Sequence, residues 1–402
     1  LWFYYDPNIE VALRVVTRKS EKQWFEEIKN EQKIPFNRLK GPLIRFVLVH
    51  GENESELIII CQHSICDGTA LAFLLRDILK LVSNPNEELT QSQPNFLLTD
   101  ILSGSSNGLA TKLKNAIISR INAKWQQDPF LFDYEDYENI HKAFFNKYQY
   151  EMVLLELNER QTKELTLKCR DNGVTINSAL TCAFIIAYQD INGLFSKSER
   201  TVVMPFDLRR RLNPPLNDVF CLLVGSVEVL FNYKKTKSFW ENVRGFHQQA
   251  VKKINNRTMF SSAVQIESLD PTLADVIISF TTTAKLVSPD YSRYEKLNAF
   301  AQNKKNVAIN MSEKFLSSLP GTIMTNLGRL DFPDSYGNLR LDTVYFAPSG
   351  STTVPLLLGA VGASGKLTLT ITFLETGDDE VQKKKFLMEE VRDRALAYLG
   401  IT

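Results

Sequence analysis

The chain has 402 residues, 44% hydrophobic, 23% charged and 10% aromatic, the make-up of a globular protein too long for one ordinary core. Two domains of roughly 150 to 250 residues, with a cleft at their interface, are expected. Its 47 basic and 46 acidic residues leave a formal charge of +1, so nothing global favours nucleic acid or an anionic membrane, and no stretch is long and apolar enough to span a bilayer.

The opening LWFYY reads as a strand already under way. Two apolar runs follow, LIRFVLVH (residues 43–50) and ELIIICQH (56–63), joined by the polar link GENES. They predict a hairpin whose second strand is apolar almost throughout, hence central and buried on both faces. After Gly68, the segment TALAFLLRDILKLVS sets Leu71, Leu74, Leu75, Ile78, Leu79 and Val82 at helical spacing, which puts His63 at a strand end just before a turn into a helix. Residues 84–95 read as a polar surface connection. A basic amphipathic helix is predicted over Leu109–Trp125, with Leu109, Leu113, Ile117 and Ile121 as its packing side and Lys112, Lys114, Arg120 and Lys124 around them.

A second unit begins near Tyr148 with the strand YEMVLLEL, then a helix from Glu159 to Cys169, the turn DNG, and VTINSALTCAFIIAYQDI, a helix apolar nearly all round and therefore central. Strands are predicted at TVVMPFDLR, VGSVEVLF, GTIMTNLG and LRLDTVYFA. A hairpin, PLLLGAV and LTLTITF about GASGK, and a helix over Val381–Tyr398 close the chain. Strands and helices alternate without a strict repeat, which predicts a mixed α/β architecture in two lobes, 1–147 and 148–402.

The stretch CQHSICDGTA carries the chemistry. A His at a strand end beside a tight turn can hold its ring at a cleft over rigid backbone, as a general base requires. Asp67 could orient that ring, bind metal with it, or brace the turn through a cation elsewhere. Gly68 suits a positive φ or a backbone too closely packed for a Cβ. Taken alone, a single His in this setting is more often a satisfied structural residue than a catalytic one.

The whole string H-x-x-x-D-G, after an apolar strand and before an amphipathic helix, resembles the signature of the acyltransferase superfamily that includes chloramphenicol acetyltransferase, peptide-synthetase condensation domains, the BAHD enzymes and polyketide-associated acyltransferases. GVTINSALTCAF looks like the helix opening that family's second lobe, VVMPFDLRRRL like its strand-end Arg segment, and PGTIMTNLGRLD like the strand that crosses toward its active-site channel. Two departures stand out. Gln62 occupies the first of the two adjacent histidines usual in peptide condensation domains, and the family's opening strand and helix would be expected to precede the first residues here.

The resemblance implies an acyltransferase in which His63 deprotonates an alcohol or amine that attacks a thioester. The donor would be acyl-CoA or a phosphopantetheine-bound acyl chain on a carrier protein, with no tightly bound cofactor and no metal. Asp67 would pair with Arg209, both of them structural together with Gly68, with Arg210 and Arg211 as alternative partners or phosphate contacts. Thr325 or Asn326 would supply an oxyanion donor or line the channel. A carrier-binding scaffold without catalysis, an amide-forming condensation enzyme and a thioester hydrolase are the competing readings; the first gives His63 no purpose.

Three decoys are set aside. GAVGASGKLT lacks phosphate-loop spacing and reads as a hairpin turn. Ser64 lies outside any G-x-S-x-G, and nothing flanking Cys66 would lower its pKa. The five cysteines, odd in number and without a C-x-x-C pair, read as reduced core thiols of a cytoplasmic protein.

Overall fold

Two β-sheets, drawn from different parts of the chain, organise the computed structural model. It describes residues 8–88, 109–213, 215–216, 218–255, 258–260, 263, 268–274, 276–277 and 284–401. The opening LWFYY and the polar connection beyond residue 88 lie outside these.

The first sheet comprises β1 (Leu13–Thr17), β2 (Ile44–His50) and β3 (Ser55–Cys61), in the order β1-β2-β3. Helix α1 (Gln23–Gln32) carries the chain from β1 to β2, which run parallel; β2 and β3 form the predicted hairpin, Ile44 opposite Cys61 and His50 opposite Ser55. One expectation is overturned. Strand β3 is the edge of this sheet among the described residues, and only Ile58 on it is fully buried. The deeply buried pair is Val47 and Val49 on β2, which pack with Trp24 and with Tyr150 and Met152 from the second sheet. An apolar run signals burial of some kind, but it does not say which strand lies between two others.

Among the described residues, the helices α2 (Gly68–Ser83), α3 (Leu109–Trp125) and α4 (Tyr134–Lys147) follow. The predicted packing face of α3 is only partly used. Ile121 and Trp125 join a core with Phe130, Ile140, Leu297 and Phe300, whereas Leu113 and Ile117 are exposed. Asp133 starts α4 through a reciprocal capping box with Asp136.

The second sheet has six strands in the order β4-β11-β10-β7-β5-β6: β4 (Tyr148–Leu157), β5 (Thr201–Asp207), β6 (Val224–Leu230), β7 (Thr322–Arg329), β10 (Leu356–Ala363) and β11 (Lys366–Thr376). The parallel neighbours are β10 with β7 and β7 with β5; the others are antiparallel. A separate pair, β8 (Ser335–Tyr336) and β9 (Leu339–Arg340), stands apart. Among the described residues, the helices of this half include α5 (Glu159–Asp171), α6 (Ile176–Asn192), α7 (Phe239–Lys253), α8 (Tyr294–Gln302), α9 (Val307–Ser317) and α10 (Asp378–Leu399).

The all-round apolar α6 is the centre of this half, as its sequence predicts. Every residue from Ser178 to Ala187 is buried, with Leu180 and Phe184 set among Val202, Met204, Leu356 and Ile371 of the sheet and Val391 of α10. At about 1.5–3 kcal/mol for each large apolar side chain, this cluster dominates the stability of the half.

LRLDTVYFA forms strand only at Leu339–Arg340. Beyond it the segment crosses a face of the sheet, where the hydroxyls of Thr368 and Thr370 on β11 donate to the carbonyls of Val344 and Phe346, both at 2.8 Å. Its alternating pattern reflects a segment half-covered by the sheet surface, with side-chain partners replacing a ladder. The GASGK hairpin turn forms as predicted, with Ser364 and Gly365 both at positive φ. No single helix among the described residues is long and apolar enough to cross a bilayer.

Candidate active site

The motif turn lies where the two halves meet. The backbone of Gln62 still donates to Leu43, closing the hairpin, and Ile65 N then turns back on Gln62 O at 3.1 Å. Asp67 is extended, and its Oδ1 accepts from Ala70 N at 2.9 Å, so the same carboxylate that ends the turn caps α2. His63 thus sits two residues beyond β3, on the turn itself.

His63 is exposed, and its Nδ1 stands 2.8 Å from the carbonyl oxygen of Cys66. A carbonyl can only accept, so Nδ1 carries a proton, and in the neutral ring the lone pair falls on Nε2. That is the tautomer of a general base, held by backbone of its own turn. The other histidines differ. His50 and His247 direct Nδ1 at the hydroxyls of Ser55 and Ser178, both at 3.0 Å, while the Nδ1 of His141 is buried without a hydrogen bond among the described residues. Burial first, and then the positive charges of Arg45 and Arg38, push the His141 pKa down to about 4.

Asp67 and Arg209 are 3% and 1% exposed and meet at 2.8 Å through Oδ2 and Nη1. Oδ2 also accepts from Leu223 N at 2.8 Å. Arg209 begins the turn Arg209–Arg211 after β5 and spends all its donors: Nη1 on Asp67 and Asp207, Nε on Val219 O, Nη2 on the Cys221 carbonyl and sulfur. Burial opposes the charged guanidinium, but the charge and hydrogen bonds of Asp67 and the bond to Asp207 outweigh it, and the Arg209 pKa is raised. The result ties the start of α2 to the end of β5 and to the chain at 219–223, with Arg76 and Asp218 adding an outer ion pair at 3.1 Å. Arg210 is exposed and Arg211 half-buried on the same turn.

Gly68 has no positive φ; close packing is what excludes a side chain there. A Cβ would come within 2.7 Å of Leu327 and 2.9 Å of the Phe346 ring. That contact brings the end of β7 against the motif. Strand alternation turns Met324 and Asn326 toward α6, where Asn326 Nδ2 donates to Asn177 Oδ1 at 3.1 Å, and turns Thr325 to the opposite face. The Asn326 side-chain oxygen accepts from Gly328 N at 2.7 Å, so both ends of that amide are engaged.

The eye-catching nucleophiles are occupied. Ser64 hydrogen-bonds through backbone and hydroxyl to Gln62 Oε1. Its hydrogen bond to Cys61, followed by burial, raises the Cys66 pKa and disfavours a thiolate. Among the described residues no group of His, Cys, Asp and Glu could hold a metal ion. Two surface hollows, one lined by Val15, Arg18 and His50 and the other by His247 and Val251, do not include His63.

Sequence reading passed over Asp207, although it stands two residues before Arg209 in DLR, where a carboxylate next to a buried cation is a readable signal. It had no means of finding Leu223, which contributes only its backbone N–H, or Asn177, whose partner lies 149 residues away.

Residues 146–239 match the family described as phthiocerol/phthiodiolone dimycocerosyl transferase C-terminus. The trichothecene 15-O-acetyltransferase of Fusarium sporotrichioides superposes with a TM-score of 0.57 at 13% identity, over 96% of this chain and 77% of that one. Polyketide synthase associated protein 5 of Mycobacterium tuberculosis does so at 0.55 and 14%, over 97% and 81%. This chain has the two-lobed condensation-domain acyltransferase fold. The epimerization domain from the third module of tyrocidine synthetase B shares the condensation fold too, at a TM-score of 0.56 and 11% identity over 98% of this chain and 81% of that one. Bacitracin synthases 1 and 3 of Bacillus licheniformis are each 21% identical, over 229 and 257 residues. The chain spans 4% of the length of each synthase, so the condensation fold here corresponds to a small part of them.

Proposed function

We propose that this protein is an acyltransferase that moves an acyl group from a thioester to a hydroxyl or amine, with His63 as general base. The observation that carries the reading is the 2.8 Å contact from His63 Nδ1 to the Cys66 carbonyl, which in the neutral ring places the lone pair on Nε2, on an exposed turn between the two halves. In this reading Nε2 takes the acceptor proton as the acceptor oxygen or nitrogen attacks the thioester carbon. The tetrahedral intermediate then expels the thiolate, which recovers the proton from the imidazolium. The Cys66 carbonyl steadies that cation through Nδ1–H. No acyl-enzyme is formed, and holding both substrates at one ring contributes alongside the proton transfer.

The remaining residues take supporting parts. Asp67, Arg209 and Gly68 fix the turn. For the oxyanion we favour Thr325 over Asn326, because the Asn326 amide is already engaged by Asn177 and Gly328. Arg210, exposed beside the brace, suits a phosphate of coenzyme A or phosphopantetheine. The lobes are 1–147 and 148–402, with the substrates entering between them.

The test is mass spectrometry after incubation with a panel of acyl-CoA and acyl-carrier thioesters and mixed alcohols and amines. Acylated acceptor with release of free thiol supports transfer. Free acid instead would make the protein a hydrolase, and unchanged thioester throughout would favour a binding role for the fold.

A further inference from the structure

Cys61 ends β3 and Cys66 ends the motif turn, and their Sγ atoms stand 2.9 Å apart although both are free thiols. A disulfide needs about 2.05 Å between its sulfurs, so closing the bond asks for a shift of only about 0.9 Å. The turn from Gln62 to Ile65 and the His63 contact to the Cys66 carbonyl already hold the two ends together. Leu43, Ile65, Ala70, Leu71 and Phe220 pack around the pair. Cys61 is half-buried and Cys66 fully buried, so Cys61 is the more accessible of the two.

We propose that Cys61 and Cys66 are a redox modification site, forming a reversible disulfide that staples the turn carrying His63, with a peroxide as oxidant. The Cys61 thiolate attacks one peroxide oxygen; the O–O bond breaks, leaving a sulfenic acid and hydroxide, which becomes water. The Cys66 sulfur then attacks the sulfenic sulfur; the S–S bond forms, the S–O bond breaks, and the departing hydroxide leaves as water with the Cys66 proton. The two thiols lose two electrons and the peroxide is reduced to two waters. What fits Cys66 for the second, resolving position is proximity, its Sγ already standing 2.9 Å from that of Cys61. Cys169 and Cys182 lie apart in the main core and serve as internal controls.

The test treats the folded chain with hydrogen peroxide, then denatures, alkylates and digests it with trypsin. Both cysteines fall in one peptide, Phe46–Arg76, which has no internal Lys or Arg. The expected product is that peptide unalkylated and about 2 Da lighter than its reduced form, and doubly alkylated once dithiothreitol is added. Cys66→Ser should instead yield a Cys61 sulfenic acid trapped by dimedone, and Cys61→Ser neither product. Oxidation should raise the melting temperature of the native chain but not of Cys66→Ser. Recovery of the peptide alkylated at both positions after peroxide, or a cross-link from Cys61 to Cys221, would overturn the proposal.

Discussion

His63 and Asp67 share one short turn and differ in nearly everything that water can reach. His63 is exposed and, among the described residues, its ring makes one hydrogen bond, to backbone of the same turn. Asp67 is 3% exposed and accepts from Ala70, Leu223 and Arg209, the last two more than 140 residues away. The exposed residue keeps a lone pair to spare, while the buried one has its oxygens committed to protein donors. A motif of six residues therefore divides into a tip suited to chemistry and a base that builds the interface between two halves of the chain.

Loss of the buried side gives the largest expected effect on stability. Asp67→Ala should cost about 3–5 kcal/mol in denaturant unfolding, because it strips a buried guanidinium of one partner, orphans Leu223 N–H and removes the cap of α2. Arg209→Met should cost a similar amount, and the double variant should cost less than the sum of the two. Additive losses would show that the pair is not coupled.

His141 tests the contrast between an exposed and an enclosed imidazole. Its folded pKa, about 4, lies below the usual 6.5 for histidine. The unfolded chain therefore binds the proton first, and stability should fall as pH drops from about 6.5 through about 4, by up to about 3 kcal/mol. His141→Phe, neutral at every pH, should flatten that part of the stability profile. An unchanged slope would remove the assignment. The smallest effect is expected at Gly68, where Ala presses on Leu327 and Phe346; a loss of about 1–3 kcal/mol is expected, and a neutral result would mean that the two halves separate there without cost.

Much of this was readable from local pattern. The β2–β3 hairpin, α2, the buried α6 and the β10–β11 hairpin all declare themselves through period and turn residues. What escaped was decided by distant partners. The apolar run of β3 gave no sign that it would lie at an edge, and LRLDTVYFA alternates like a strand because it lies against the Thr hydroxyls of β11. Shorter amphipathic helices such as α1, α4, α8 and α9 went unread because tertiary packing, more than propensity, makes them helical. At the site, H-x-x-x-D-G pointed to His63 and DLR to Arg209. The tautomer of His63 depends on a carbonyl contact that no sequence pattern encodes, and the choice between Thr325 and Asn326 on which face each strand residue presents.

The central claim is that His63 acts in chemistry and not in architecture, and one measurement addresses it directly. The rate of acyl transfer and the melting temperature of His63→Ala should be determined on the same preparation as the parent protein. The account predicts a rate lower by about 10²–10⁴-fold, the usual contribution of a general base, at an unchanged melting temperature. A well-folded His63→Ala protein transferring at the parent rate would contradict it.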